Sequence, residues 1–406
     1  MTYAPPAADI DWSKLGLAVT DIVNGHIECK FDPETKTWQA PTFVRDPYLR
    51  IHGLAPALNY GQQIYEGLKA TRNASEEILL FRPTKHSTRM AHSASVVSIP
   101  PVPEALFMDA VRLAVSENAA FVPPHSTNAA LYIRPLAFGT GGHFALTPPR
   151  DYLFCVYVQP FGTYHGTGAA DAIVIEEFDR AAPRGTGNAK VGGNYAPVMK
   201  YTDKARAEGF PLTLHLDSRT QTEIDEFSTS SFIGVVKGED GVKLVVPDSE
   251  SVIESVTSDS VQGIARSLGW GVEKRSIPWT TLGEFTEVMA AGTAAAVVPI
   301  RSITRRSTGE KLEFESGLLC VELLTRLRAI QRGDVGEFAH WVEAVKAPET
   351  VYEKYRETVE VADKVANGTI NGANGVAKVV ANGLSKVPNG VSNGVSNGVA
   401  NGVHAE

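Results

Sequence analysis

The chain has 406 residues, an ordinary content of apolar and charged residues and a formal net charge of -8. This acidic balance disfavours nucleic acid or an anionic membrane as the main partner, so any phosphate must be held by a local site. No run approaches the roughly 18 consecutive apolar residues of a membrane helix. The first residues resemble neither a secretory signal nor a mitochondrial presequence, and the three widely spaced cysteines predict neither a disulfide framework nor a zinc site. We therefore expect a cytoplasmic protein.

The N-terminal half mixes helix and strand patterns. Phe107, Ala110, Val111 and Ala114 follow the i, i+3, i+4, i+7 spacing of an amphipathic helix. Two runs rich in aromatic and β-branched residues, 130–139 and 151–160, predict a pair of strands. The segment FGTYHGTGAA that follows (161–170) has no clear period and predicts a linker between domains.

Beyond the linker, four further runs predict strands: 171–177, 212–218, 232–236 and 243–247. A helix is predicted from about Ser258 to Leu268, with Gly269 as its C-terminal stop. The pattern predicts an α+β fold with a small N-terminal domain, 1–160, and a larger C-terminal domain, 171–362. The remaining residues, 363–406, contain repeated Asn-Gly-Val units that cannot build a core, and we expect a disordered tail there.

A glycine-rich stretch around Lys190, GTGNAKVGGNYAPVMK (185–200), has several possible uses. A Walker loop requires Gly-Lys-Ser/Thr, whereas Lys190 lies between Ala189 and Val191. The dinucleotide fingerprint requires a glycine at position 190, three residues after Gly187. A second candidate, GTGG (139–142), is not followed by a helix start. Both nucleotide-binding hypotheses are therefore weak.

The near sequence of Lys190 is small or apolar and contains no carboxylate. Such surroundings lower the pKa of an amine by desolvation, and a neutral amine can form a Schiff base with an aldehyde. An ordinary lysine in a surface loop remains the alternative explanation of this stretch.

Six motifs occur in an informative order. They are NYGQQIYEGLKA (59–70), FRPTKHSTRM (81–90), LYIRP (131–135), the Lys190 stretch, EFSTSSF (226–232) and AGTAAAVVPIR (291–301). Together they resemble the class IV pyridoxal-phosphate aminotransferases, and specifically the branched-chain amino acid aminotransferases, over about residues 45–305. The resemblance implies a two-domain fold of the D-amino-acid-aminotransferase type (fold type IV), pyridoxal 5'-phosphate at the domain boundary, and a homodimer.

The resemblance also assigns the residues at the cofactor ring. Lys190 matches the Schiff-base lysine, and Tyr195 matches the tyrosine that bonds the ring oxygen. Glu226 matches the carboxylate that pairs with the pyridine nitrogen. Asp225 lies on the opposite strand face, and alternation alone does not choose between the two; the Phe-Ser-Thr frame after Glu226 favours Glu226. The family usually has Asn where this chain has Ser231, which puts one local hydrogen bond in doubt.

The resemblance further supplies a phosphate site and a substrate pocket. Each predicted phosphate ligand has an anion-binding side chain or lies at a helix start. These ligands are Arg89, Val256, Thr257 and Thr293. The residues that match the family's substrate pocket are Tyr60, Tyr132, Arg134, Tyr164, Thr293 and Ala294. Tyr132 and Arg134 lie two apart on a strand and so face the same side.

These matches imply transfer of the amino group of leucine, isoleucine or valine to 2-oxoglutarate. Two alternatives stay open. One is a class IV transaminase of a specialised pathway or with D-amino acid or (R)-amine specificity. The other is a non-enzymatic protein that binds nucleotide or phosphate with a glycine-rich loop.

Overall fold

The computed structural model describes residues 3–16, 18–19, 22–162, 168–239, 241–315 and 317–355. Residues 1–348 form one compact unit; the chain from Glu349 forms another, of which residues 349–355 are described and helical. All three cysteines are buried free thiols. No helix among the described residues combines the length and apolarity needed to cross a membrane.

The first sheet is antiparallel throughout and runs in the order β18-β6-β5-β7-β8-β1-β2, with β3 beside β1 and β4 beside β7. Its strands among the described residues are β1 (His26–Asp32), β2 (Thr37–Trp38), β3 (Thr42–Val44), β4 (Gln63–Tyr65), β5 (Leu68–Arg72), β6 (Ile78–Phe81), β7 (Ala130–Gly139), β8 (Tyr152–Phe161) and β18 (Val342–Ala344).

The second sheet is mixed, with parallel pairs between β9 and both β10 and β16 and between β13 and β14. Its order is β11-β10-β9-β16-β15-β12-β13-β14, with β17 beside β16 and β11 also paired with β12. The strands are β9 (Ala170–Val174), β10 (Leu212–Leu216), β11 (Ile224–Phe227), β12 (Ser230–Gly238), β13 (Gly241–Pro247), β14 (Gly271–Arg275), β15 (Glu287–Gly292), β16 (Ala296–Arg305) and β17 (Glu310–Glu313).

Helices pack against these sheets and close two apolar cores around the second sheet. The α-helices among the described residues are α1 (Pro56–Asn59), α2 (Pro83–Val96), α3 (Glu104–Glu117), α4 (Ala196–Ala207), α5 (Val256–Ser267) and α6 (Leu318–Gln331). Short 3-10 turns span Ala119–Phe121, Gly192–Asn194, Trp279–Glu284 and Ala339–Trp341.

The elements predicted from sequence periodicity are confirmed. The predicted strand 130–139 is β7, and the predicted helix 258–268 is α5, which begins two residues earlier. The chain leaves the first sheet at Phe161 and enters the second at Ala170, within the predicted linker, whose residues 163–167 lie outside the described part. The division into two domains stays a prediction, as does disorder in the tail, because residues 356–406 also lie outside it.

Candidate active site

The Lys190 loop is attached to the first sheet by its backbone. The N–H of Lys190 donates to Ser93 Oγ on α2 at 2.8 Å, and its carbonyl accepts the N–H of Tyr65 on β4 at 3.1 Å. A Cβ atom on Gly192 would lie 2.5 Å from the Gln63 amide, so this glycine allows the loop to pass close to β4. Lys190 is therefore positioned by its own loop together with β4 and α2.

The amine of Lys190 lies among tyrosines. Its Nζ is 3.1 Å from the hydroxyl of Tyr195 and 4.5 Å from the ring centre of Tyr65, and the two rings meet edge to face. Burial raises the pKa of the Tyr195 phenol, but the positive charges of Lys190 and Arg180 outweigh it, and the net direction is down. Burial raises the pKa of Tyr65 instead. Tyr195 is thus the phenol better suited to stabilise a negative oxygen.

Glu226 is buried in β11 beside a cation. Its Oε1 lies 2.5 Å from Nη1 of Arg180, yet neither atom is oriented for a directed hydrogen bond to any described residue. Burial raises the pKa of Glu226 to about 7, against the opposing charge of Arg180. Asp225, the alternative carboxylate, instead shares a hydrogen bond with Ser249. Ser231 lies directly across from Glu226 in the β11–β12 ladder.

Arg89 is held by a buried carboxylate in the first sheet. Its Nε and Nη2 donate to the two oxygens of Glu66 at 2.7 and 2.8 Å, and His86 Nδ1 lies 2.7 Å from the same carboxylate. Burial opposes ionisation of Glu66, but Arg89 and His86 more than compensate, and its pKa lies well below its usual range. The third donor group of Arg89, Nη1, reaches the carbonyl of Glu254 at 2.9 Å. This contact places the guanidinium at the start of α5.

The first turn of α5 offers open donors beside Arg89. Ser255 caps the helix, its Oγ accepting the N–H of Ser258 at 3.1 Å. Val256 and Thr257, both buried, form no hydrogen bond through their backbone N–H groups to any described residue. Free N–H groups at a helix start favour an anion. Arg89 therefore lies near the start of α5, where Val256 and Thr257 stand, and the binding of phosphate by these three residues stays a prediction.

The predicted substrate residues are placed in three regions. Tyr132 and Arg134 on β7 share a face, and Arg134 Nη2 donates to the Tyr132 hydroxyl at 3.1 Å while its guanidinium lies 4.8 Å from the Tyr65 ring centre. Thr293 and Ala294 lie in the turn between β15 and β16. Tyr60 is 46% exposed, and its hydroxyl donates to the carbonyl of Phe144. Tyr164 lies outside the described residues.

Several neighbours of the site carry no recognisable signal in the sequence. Tyr65 and Glu66 belong to the motif 59–70, which is informative only through its order among the six motifs. Nothing in the sequence distinguishes Ser93 and His86 from other residues of their helix. Arg180 precedes Lys190 by ten residues, but the pattern FDRAAPRG gives no indication that its guanidinium reaches β11. The alternation of side chains along a strand could have predicted one feature, namely that Tyr65, Gly67 and Lys69 lie on the same face.

Comparison with known proteins is consistent with this geometry. Residues 63–303 match the family model described as amino-transferase class IV, and the chain belongs to that family. It is 54% identical over 335 residues to aminotransferase atnJ of Emericella nidulans, covering 80% of this chain and 96% of that protein. It is 50% identical over 352 residues to the branched-chain amino acid aminotransferase gloG of Glarea lozoyensis, covering 85% of this chain and 98% of that protein.

A solved structure shows the same fold. The branched-chain amino acid aminotransferase of Escherichia coli superposes with a TM-score of 0.65 at 25% identity, covering 75% of this chain and 97% of that one. The fold is therefore the predicted fold type IV. The non-enzymatic alternative is wrong, because the family match extends over most of the described chain.

Class IV aminotransferases use pyridoxal 5'-phosphate, and the residues of this chain fit that cofactor. Oxygen Oε1 of Glu226 is buried without a hydrogen-bond partner among the described residues, as a group that receives a pyridinium N–H should be. The open N–H groups of α5 and the guanidinium of Arg89 form a local anion site in an otherwise acidic protein.

We predict that Glu226→Gln removes a pH dependence of stability in the cofactor-free protein. The folded pKa of Glu226, about 7, lies above its ordinary value of 4.5. Its contribution to the free energy of unfolding is thus fully present below pH 4.5 and is lost as the pH rises through about 7. Between these two pH values, the free energy of unfolding of the variant should rise relative to that of the wild type by on the order of 3 kcal/mol. The measurement is urea denaturation at a series of pH values.

The exposed Glu223 provides a matched control on the same segment. Glu223→Gln should follow the wild-type pH dependence. If Glu226→Gln does so as well, Glu226 does not have a raised pKa in the folded protein.

Proposed function

We propose that this aminotransferase moves the amino group of branched-chain L-amino acids to 2-oxoglutarate. The observation that carries the proposal is the arrangement of Tyr132, Arg134 and Tyr65 on one wall beside Lys190. The aromatic rings offer apolar surface to an aliphatic side chain. The guanidinium of Arg134 offers a bidentate partner to the second carboxylate of 2-oxoglutarate. The name of the Glarea lozoyensis relative supports the same substrate class.

Each cofactor contact has a proposed residue. Arg89, the first turn of α5 at Val256 and Thr257, and Thr293 hold the phosphate. Tyr195 would form a hydrogen bond with the ring oxygen of the cofactor. The lowered pKa of the Tyr195 phenol suits this contact, because the ring oxygen shares negative charge with the ring. Glu226 accepts the N–H of the ring nitrogen, with Arg180 beside it. Lys190 would hold the cofactor covalently through its aldehyde carbon, with loss of water.

Pyridoxal phosphate, when bound, supplies an electron sink for the pair left on the substrate Cα as its proton departs. The chain's own residues do the rest. The Lys190 amine would take the proton from the substrate Cα as a general base and, as a general acid, deliver it to the cofactor's former aldehyde carbon, across the nitrogen that is transferred. The hydrogen bond that this amine donates to the Tyr195 hydroxyl directs it, and the hydrogen bonds of the Lys190 backbone to Ser93 and Tyr65 fix its loop. Thr293 and Ala294 receive the substrate carboxylate.

A second candidate is a class IV transaminase with another substrate, such as an amino acid of a specialised pathway, a D-amino acid or an (R)-amine. The observation in its favour is that the Emericella nidulans relative, at 54% identity, is named an aminotransferase with no substrate stated.

Lys190→Ala should abolish transamination of leucine while the fold is retained, because the amine proposed to shuttle the Cα proton is removed. Loss of activity by at least about 10²–10⁴-fold is expected for removal of a general base. The measurement is glutamate formation from leucine and 2-oxoglutarate, with circular dichroism to verify folding. Borohydride reduction of the wild type followed by peptide mapping should locate the cofactor on Lys190. Near-normal turnover by the variant would contradict the assignment.

The substrate class is tested by a panel of L-amino acids, D-amino acids and (R)-amines with 2-oxoglutarate as acceptor. We expect the highest kcat/KM for L-leucine, L-isoleucine or L-valine. Arg134→Gln should raise the KM for 2-oxoglutarate, whose second carboxylate loses its partner, by more than the KM for leucine. Turnover confined to D-amino acids or amines would favour the second candidate.

We also propose a homodimer, as the resemblance implies, with its interface on an exposed apolar patch. The patch is formed by side chains around α1 and the loop before β8, namely Leu54, Leu58, Tyr60, Phe144 and Leu146. Patches of large exposed apolar side chains on a protein of this size mark interaction surfaces. A second copy that covers the patch would bury Tyr60, which is half exposed in a single chain.

Leu146→Asp should dissociate the dimer, since Leu146 is 85% exposed in a single chain and a carboxylate cannot be buried there without a partner. The measurement is molar mass by light scattering after size exclusion. Met199→Asp, at an exposed apolar residue on α4 outside the patch, is the control and should remain dimeric. A wild type that is monomeric at micromolar concentration would refute the proposal.

A further inference from the structure

A pocket lies beside the turn between β15 and β16. Apart from Ala294, its lining residues are not among those assigned to cofactor or substrate. Three half-buried cations line it: Lys69 from β5, Arg328 from α6 and Arg332 just after α6. Phe161, Ala129 and Ala295 form apolar wall, and the Asn128 amide lies at the rim. The pocket thus combines positive charge with an apolar surface.

Two of these cations, Lys69 and Arg328, are not balanced by an acidic residue in the part of the chain that the structure describes. Within the described ranges, neither Lys69 nor Arg328 forms an ion pair, whereas the neighbouring Arg332 pairs with Asp334 at 2.8 Å. The Asp334 carboxylate also contacts His125, so both of its contacts are made outside the Lys69–Arg328 pair. The Nζ of Lys69 donates to the Ala294 carbonyl at 3.1 Å and lies 5.7 Å from the Phe161 ring centre. Two partly desolvated cations with no counter-charge form a site for an anion.

Burial and neighbouring positive charge both disfavour the protonated forms of Lys69 and Arg328. Burial lowers the pKa of Lys69 to about 8, and the like charge of Arg328 adds to the effect. Burial and the charge of Arg332 lower the pKa of Arg328 as well. An anion between Lys69 and Arg328 would relieve this repulsion.

We propose that Lys69 and Arg328 bind the carboxylate of a small organic acid whose short carbon chain lies against Phe161, Ala129 and Ala295. The apolar wall favours an organic acid over inorganic phosphate, which has no apolar part. Lys69 has three N–H donors, so it can bind the carboxylate and keep its bond to Ala294. The acid is then bound against the back of the turn that carries Thr293 and Ala294. This assignment does not depend on which amino acid the enzyme prefers.

The test uses the reactivity of Lys69 in the holoenzyme. An amine with a pKa near 8 is partly neutral at pH 8 and reacts with acetic anhydride, and mass spectrometry of the peptide reports Lys69 alone. Butyrate, a carboxylate with a short chain, should slow acetylation of Lys69 by about tenfold near saturation, since only the free fraction reacts. The exposed Lys311 should label at an unchanged rate.

Two arginines on the same helix provide a matched pair of variants. Protection by butyrate should be lost in Arg328→Gln and retained in Arg326→Gln, whose arginine lies near Glu322. The ratio of rates with and without butyrate is compared within each variant, so a changed intrinsic reactivity of Lys69 does not matter. Should Arg328→Gln fail to fold, wild-type protection alone decides.

Three results would overturn the proposal. The first is an unchanged rate of Lys69 acetylation in butyrate, and the second is equal protection in the two arginine variants. The third is stronger protection by inorganic phosphate at equal ionic strength, which would assign the pocket to a different anion. Loss of protection in Arg134→Gln instead of Arg328→Gln would place the carboxylate in the substrate pocket, and the proposal would likewise fail.

Discussion

The placement of Lys190 depends on two hydrogen bonds of its backbone to residues far away in the sequence, Ser93 and Tyr65. Ser93 on α2 accepts its N–H, and Tyr65 on β4 donates to its carbonyl. The Lys190 loop follows β9 of the second sheet, so these bonds attach a loop of that part of the chain to the first sheet. Arg89 links the same two regions one helical turn away from Ser93, through Glu66 and the carbonyl of Glu254. The amine, the anion site at α5 and the β4 face are thus held in one frame.

The site contains two buried arginine–glutamate pairs, Arg89–Glu66 and Arg180–Glu226. They differ in how many of their polar atoms form hydrogen bonds. Glu66 binds Arg89 through both oxygens and also contacts His86, and its carboxylate is ionised. Glu226 has a close cation in Arg180 but no directed hydrogen bond at Oε1 from a described residue, and its pKa is raised to about 7. A buried ion pair contributes stability only when its remaining polar atoms are satisfied. The first pair is therefore structural, and the second is incomplete until a ligand donates to Glu226.

Local patterns in the sequence predict the elements well, and contacts between distant elements poorly. The strand at 130–139 and the helix at 256–267 follow from residue type and spacing within a few residues. The grouping of Arg89 with Val256 and Thr257 came from the family resemblance, because nothing in either segment alone indicates that they meet. Arg180 was missed for the same reason: its contact with Glu226 depends on the path of the loop after β9, which no local pattern specifies.

One strand face runs from the neighbourhood of Lys190 to the pocket lined by Lys69. Because β4 and β5 pair with β7 in a continuous antiparallel register, Tyr65, Gly67 and Lys69 lie on the face that carries Tyr132 and Arg134.

Along this face Tyr65 lies beside Lys190, and Lys69 lines the pocket with Arg328. Gly67 lies between them, and a Cβ atom there would lie 2.0 Å from the Tyr132 hydroxyl. Any side chain at position 67 would displace that hydroxyl and, through it, the guanidinium of Arg134. The absence of a side chain at Gly67 is thus what allows Tyr132 and Arg134 to keep their positions on this face.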